Sequence, residues 1–163
     1  MNLIEPEAKV DIKENMNLLK VISEAFSFAR KEDVLVGIPA ENNSTRADGV
    51  SNVQLMYIHT NGSPANRIPA RPTIEPAIME NREVLQRLLK GSLAAAFSGN
   101  IGGARSNKQR AGMMAVNFVK AKFGSASLAP NAPYTVMMKG SSAPLIDTGQ
   151  LRNSITFVIR KKK

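Results

Sequence analysis

The chain has 163 residues, with 22 Lys and Arg against 13 Asp and Glu, a formal net charge of +9, one His, and no Cys or Trp. Without cysteine there is no disulfide framework, thiolate nucleophile or thiolate metal site, and a single His cannot furnish the usual zinc-ligand sets. The length fits one folded unit, and a chain of this size buries enough of its unfolded surface to form a core without metals or disulfides.

Residues 1–10 lack the basic stretch and apolar run of a secretory signal, and read as an N-terminal arm before a single domain at 11–160 and a basic tail at 161–163. No apolar run approaches the ~20 residues of a spanning helix, so a soluble protein folded in a reducing cytoplasm is expected. In 11–30, Ile12, Met16, Leu19, Ile22, Phe26 and Ala29 recur at three and four, which predicts a helix with that stripe inward. Residues 33–38 are a β-branched run expected to form a strand, and polar 39–50 an exposed loop. A short helix over 51–60, with Val53, Leu55, Met56 and Ile58 partly buried, should stop at Asn61-Gly62.

Pro64, Pro69 and Pro72 keep 63–72 extended and poor in donors. One long helix is expected over 73–98, capped by Thr73, with Ile78, Leu85, Leu88, Leu89 and Ala96 buried. Gly-rich 99–106 reads as a break. A helix over 107–123 should turn Ala111, Met114, Ala115, Phe118 and Val119 inward and stop at Gly124. Residues 134–138 read as a strand and 144–154 as a turn with one helical turn. In 155–160, Ile155, Phe157 and Ile159 alternate onto one face, as in a half-buried strand. The pattern is α+β: a small antiparallel or mixed sheet of three to four strands packed against two long helices, with extended loops.

Little of this pattern is catalytic. Asp147-Thr-Gly149 matches the aspartic-protease triplet, one copy of which would serve if two chains shared a site. However, Gln150-Leu-Arg-Asn-Ser-Ile155 continues as a helical turn and a strand rather than a flap-bearing barrel. Asp147 or Thr148 is instead expected to cap the short helix, with Gly149 in the tight turn. His59 has no accompanying nucleophile motif and reads as a helix-end histidine bonded to backbone. Gly99-Asn-Ile-Gly-Gly-Ala104 lacks the Lys-Ser/Thr of a phosphate loop. Neither an enzyme nor a cofactor is expected.

Charge is the informative feature. Residues 1–83 hold 12 of the 13 acids and 9 bases, whereas 84–163 hold 13 bases and only Asp147, net charges of −3 and +12. Two readings follow. Clustered bases attract nucleic acid non-specifically, with Arg105, Lys108, Arg110, Lys120 and Lys122 as candidate DNA-facing residues. Alternatively, an acidic half and a basic half meet head to tail between copies, which closes rings when the rotation permits.

Two stretches carry a resemblance, the segment 57–77 with Arg67-Ile-Pro-Ala-Arg-Pro72 and Pro144-Leu-Ile-Asp-Thr-Gly-Gln-Leu-Arg-Asn-Ser-Ile155, accompanied by Val34-Leu-Val-Gly-Ile38. Together they resemble the tail-completion and neck proteins of long-tailed bacteriophages, the group that includes the lambda minor tail protein Z and the Mu G-like proteins. The resemblance spans about residues 10–160. It implies a structural virion protein at the head–tail junction, assembled in the host bacterial cytoplasm as a ring, usually of six copies. Its partners would be copies of itself, adjacent head-completion or connector and tail-tube or tail-terminator proteins, and passing genomic DNA, with no membrane. On this view Arg67, Pro69, Arg71 and Pro72 form a rigid contact ledge whose arginines fork onto a neighbour's carboxylates. Thr148, Gly149, Leu151 and Arg152 would hold the turn feeding the last strand.

Overall fold

The computed structural model describes residues 12–162, with side chains from Met16 onward. Helix α1 (Ile12–Lys31) leads into strand β1 (Glu32–Gly37), a 3-10 turn at Ala40–Asn42 and α2 (Asn52–Asn61). A second 3-10 turn, Pro64–Asn66, precedes α3 (Ile74–Glu80), α4 (Arg82–Phe97) and α5 (Ile101–Lys122). Helices α6 (Pro133–Lys139) and α7 (Gln150–Ser154) come before β2 (Thr156–Lys161).

Helices α4 and α5 form an antiparallel hairpin. Gly99 makes the reversal at φ +76°, a conformation glycine adopts without penalty. The Asn100 side chain then caps α5 by accepting from the Gly103 N–H at 2.8 Å. Small residues let the two helices approach: buried Ser92 donates to the Ala104 carbonyl at 2.6 Å, and Ala96 and Ala104 are fully buried. Ala25 and Phe28 of α1 pack against these alanines.

The sheet is one antiparallel pair, running from Glu32 opposite Lys161 to Gly37 opposite Thr156. It lies across α5, where Phe157 occupies the space over Gly112. A second core of Met56, Ala77, Val119, Phe123, Leu151 and Ile155 joins α2, α3, α7 and the end of α5.

The α+β class holds, but among the described residues only two strands form rather than three or four. Residues 134–138 belong to helix α6. Pro133 pre-sets the first helical φ and Gly140, at φ +65°, ends it, so a helix start and stop bracket what reads alone as a β-run. The helix expected over 73–98 is divided at Asn81, whose side chain bonds back to the Ala77 carbonyl at 2.9 Å. Thr73 is fully buried and makes no cap bond. The break expected at 99–106 shrinks to a tight turn, because the Asn100 cap starts α5 at Ile101. Within α5, Met114 faces outward rather than into the core.

Helix α1 turns a different face inward from the one its periodicity suggests. Val21, Ala25 and Phe28 form the seated stripe, because a small residue and a ring match the alanine groove of α4 and α5. Met16, Leu19 and Phe26 are left 65%, 65% and 54% exposed. Val21 lies against Gly99, so the preceding nine residues of α1 run about 14 Å beyond the α4–α5 turn. All of residues 16–20 are exposed there.

Lys161 and Lys162 of the C-terminal basic run are not a free tail, and Lys163 lies outside the described residues. Lys161 is in β2, the Lys162 N–H donates to the Lys31 carbonyl at 2.6 Å, and its Nζ lies 2.9 Å from Asp33. Arg160 also faces Asp33, at 3.4 Å. The Lys162 hydrogen bond, with help from Arg160, holds the Asp33 carboxyl below its usual range. Among the described residues, no helix is long and apolar enough to cross a membrane.

Candidate functional site

The two stretches singled out near 67–72 and 148–151 meet on opposite walls of one cleft of about 710 Å³. The last turn of α2 contributes His59, and α6 contributes Thr135 and Lys139. Gly62 ends α2 and allows the following hairpin to fold back closely. A Cβ there would lie 2.9 Å from both the Ala70 nitrogen and the Ile68 oxygen. Ser63 and Ile68 close that hairpin by pairing, and Arg67 follows the 3-10 turn at its tip, next to the closing pair.

Backbone strain concentrates at this place. Arg67 (φ 53°) and Leu145 (φ 62°) are the non-glycine residues with positive φ among the described residues, and both line the cleft. A bulky leucine in this region is uncommon and costs free energy that its surroundings must offset. Leu55, Ile68 and Leu145 supply the apolar lining.

The electrostatics are one-sided. Arg46, Arg67, Arg71 and Lys139 face the cleft, with Asp147 as the acidic counterpart. Arg71 is buried; its Nε donates to the Ala129 carbonyl at 2.7 Å and its Nη2 to the Pro130 carbonyl at 2.8 Å. Burial lowers its pKa, but a guanidinium stays charged. His59 is pushed below its ordinary pKa, first by desolvation and then by repulsion from Arg71, Arg46 and Lys139. Its imidazole is therefore neutral at pH 7. Its buried Nδ1 has no hydrogen-bond partner among the described residues, so it is not the backbone-bonded histidine expected from sequence.

Six of the eight candidate contact residues line the cleft: Arg67, Pro69, Arg71, Thr148, Gly149 and Leu151. Pro72 lies outside it, and Arg152 faces α5, donating its Nε to the Lys120 carbonyl at 3.0 Å. Arg71 cannot serve as an outward fork, because two of its guanidinium nitrogens tie down the chain at 129–130. Leu151 is a core residue. The N-cap position of α7 is Gly149, in the tight turn at φ 79°, and the preceding Thr148 Oγ1 accepts from the Gln150 N–H at 3.4 Å.

The candidate DNA-facing residues do not form one exposed surface. Lys108 is only 6% exposed, with its Nζ 3.3 Å from the Glu32 carboxylate and 3.7 Å above the centre of the Phe28 ring. Lys122 is paired with Glu80 at 2.7 Å. Arg105 lies 3.7 Å from Glu32. Arg110 is exposed and Lys120 half-buried on the same helix.

Sequence reasoning missed Arg46, His59 and Lys139 as cleft residues. Only His59 carried a usable signal, since it falls in the α2 turn just before Gly62. The cleft presents concentrated positive charge, a neutral imidazole and amide or hydroxyl groups from Asn66, Asn131 and Thr135, which together suit an anionic ligand. Among the described residues, no group of three or more metal-ligating side chains occurs. No protein-family model, curated protein or solved structure matches the chain.

Proposed function

We propose that the chain is a structural, non-catalytic subunit of a ring at the neck of a long-tailed bacteriophage, completing the tail or joining it to the head. The observation that carries its role as an assembling subunit is the uncovered face of α1. Met16, Leu18, Leu19 and Phe26 are each more than half exposed, and Phe97 of α4 extends the patch through an edge-to-face contact with Phe26 at 5.4 Å. Large apolar side chains left uncovered together on one helix of a small domain mark a site of association. Covering these four α1 side chains would contribute roughly 4–7 kcal/mol, comparable with the stability of a whole domain. The neck assignment itself draws on the sequence resemblance at 34–38, 57–77 and 144–155.

In such a ring, each copy contacts the next through a heterologous surface, and adjacent connector or tail rings stack above and below. Genomic DNA would pass through the lumen without being held by a dedicated site, since Lys108 and Lys122 are already engaged within the chain. Imaging of purified particles with this chain labelled tests the assignment. Label in a closed ring at the head–tail junction is expected, and particles without the label, or with one copy each, would refute it.

A further inference from the structure

We propose that the cationic cleft receives residues 1–11 of a neighbouring copy, with Glu5 and Glu7 as the carboxylates that enter it, a contact that rests on the ring assignment above. The cleft brings Arg46, Arg67, Arg71 and Lys139 together against Asp147 alone, so an incoming anion relieves repulsion already present in the fold. Residues 1–11 carry three carboxylates, Glu5, Glu7 and Asp11, against one lysine. Leu3 and Ile4 immediately precede Glu5, matching the apolar lining of Leu55, Ile68 and Leu145. Pro6 lowers the backbone entropy lost on docking. A carboxylate on the outward-facing Arg67 makes a charge-assisted bond, bidentate where the fork is free.

Reach decides whose segment enters. The cleft lies at the C-terminal end of α5, where Arg152 bonds Lys120 and Ile146 packs against Gly124. The start of α1 lies beyond the opposite end, past Gly99. At 1.5 Å per helical residue, the two are separated by about 40 Å along α5 and the projecting part of α1. From Ile12 back to Glu5 is seven residues, at most about 25 Å fully extended. A copy therefore cannot fill its own cleft, whereas the projecting α1 of an adjacent copy delivers the same segment to it. A protein segment fits better than a nucleic acid, because the site is a recess with an apolar lining and an acid of its own rather than an open basic ridge.

The absence of cysteine makes the contact directly testable. The full-length double variant Ala8→Cys with Thr148→Cys, oxidised under native conditions, is expected to give disulfide-linked species of two or more copies. Adding Arg67→Glu and Lys139→Glu, or Glu5→Lys and Glu7→Lys, should reduce that yield by about tenfold or more, with unchanged thermal melting showing that the fold survives. Only intrachain or uncrosslinked product, or crosslinking indifferent to the charge reversals, would overturn the proposal. Sedimentation separates this from failure of the ring itself. Multimers that persist in the Glu5→Lys, Glu7→Lys variant leave the ring standing, as the α1 surface predicts, and undiminished Ala8→Cys to Thr148→Cys crosslinking within them refutes the cleft contact. A chain that is monomeric throughout refutes the ring, and binding of a synthetic 1–11 peptide, lost in Arg67→Glu with Lys139→Glu, then supports the cleft's ligand chemistry. A short DNA duplex that occupies the cleft in place of that peptide would overturn the proposal.

Discussion

Glu32→Gln and Lys108→Met remove opposite ends of the same buried ion pair, and their costs should differ sharply. The Lys108 Nζ lies 3.3 Å from Glu32 Oε2, and its two carbonyl neighbours, Phe28 and Glu32, are at the long distances of 3.4 and 3.5 Å. Glu32→Gln strands the ammonium with these weak acceptors and the Phe28 ring. Breaking a buried pair costs roughly 3–5 kcal/mol, reduced here to about 2–4 kcal/mol because the Glu32 side chain keeps 11% exposure. Lys108→Met instead keeps the apolar stem that packs in the core and leaves Glu32 facing Arg105 at 3.7 Å, so a change within about 1 kcal/mol is expected. For a chain of this length, each kcal/mol shifts the melting temperature by about 2–4 °C. Thermal unfolding followed by circular dichroism should therefore show a loss of about 5–15 °C for Glu32→Gln and under ~4 °C for Lys108→Met. Duplex DNA binding should be unchanged in Lys108→Met. Equal melting losses in the two variants, or weakened DNA binding in Lys108→Met, would refute the assignment of Lys108 to the core.

Gly112→Ala should destabilise by about 1–2 kcal/mol despite the better helix propensity of alanine, because the new Cβ would lie 2.3 Å from Phe157 Cδ2; a raised urea midpoint would contradict this packing. Arg71→Met should cost about 2–3 kcal/mol by leaving the Ala129 and Pro130 carbonyls without donors, and should speed limited proteolysis near residue 130. His59, as the sole histidine, can be titrated by proton NMR, and its pKa should fall below 6.5. Since the unfolded chain then binds the extra proton, this contribution is fully present above pH 6.5 and is lost as pH falls through the folded value. The urea midpoint should accordingly drop less between pH 7 and pH 5 in His59→Asn than in the unsubstituted chain, and equal drops would exclude the effect.

Local signals that name their own structure were legible in the sequence. The alternation of Phe157 and Ile159 with exposed Val158 and Arg160 does mark a half-buried strand, although Ile155 ends α7 just before it, and Gly62 does end α2. Helix α1 misled because it carries two apolar stripes, and only the groove of Ala96 and Ala104, some 70 residues away, selects the one with Ala25 and Phe28. Lys108 lies between Ala104 and Ala111 on the buried side of α5, a helical spacing that outranked its charge once Glu32 was in place. Pro133 and Gly140 bracket 134–138 as a helix start and stop, and these flanking signals outweigh the local β-run. The cleft was half visible, since the 67–72 and 148–151 motifs stand out singly. Their convergence with Arg46, His59 and Lys139 depends on long-range packing of α2, α6 and α7, which no local pattern encodes.

Sedimentation of the intact chain tests most directly whether the uncovered α1 surface joins one copy to another. The chain is expected to run as a multiple of its 17.6 kDa mass and to fall to that single mass in Leu19→Glu with Phe26→Glu, without loss of melting temperature. A single 17.6 kDa species for the unsubstituted chain at every concentration, or multimers indifferent to both substitutions, would contradict the account.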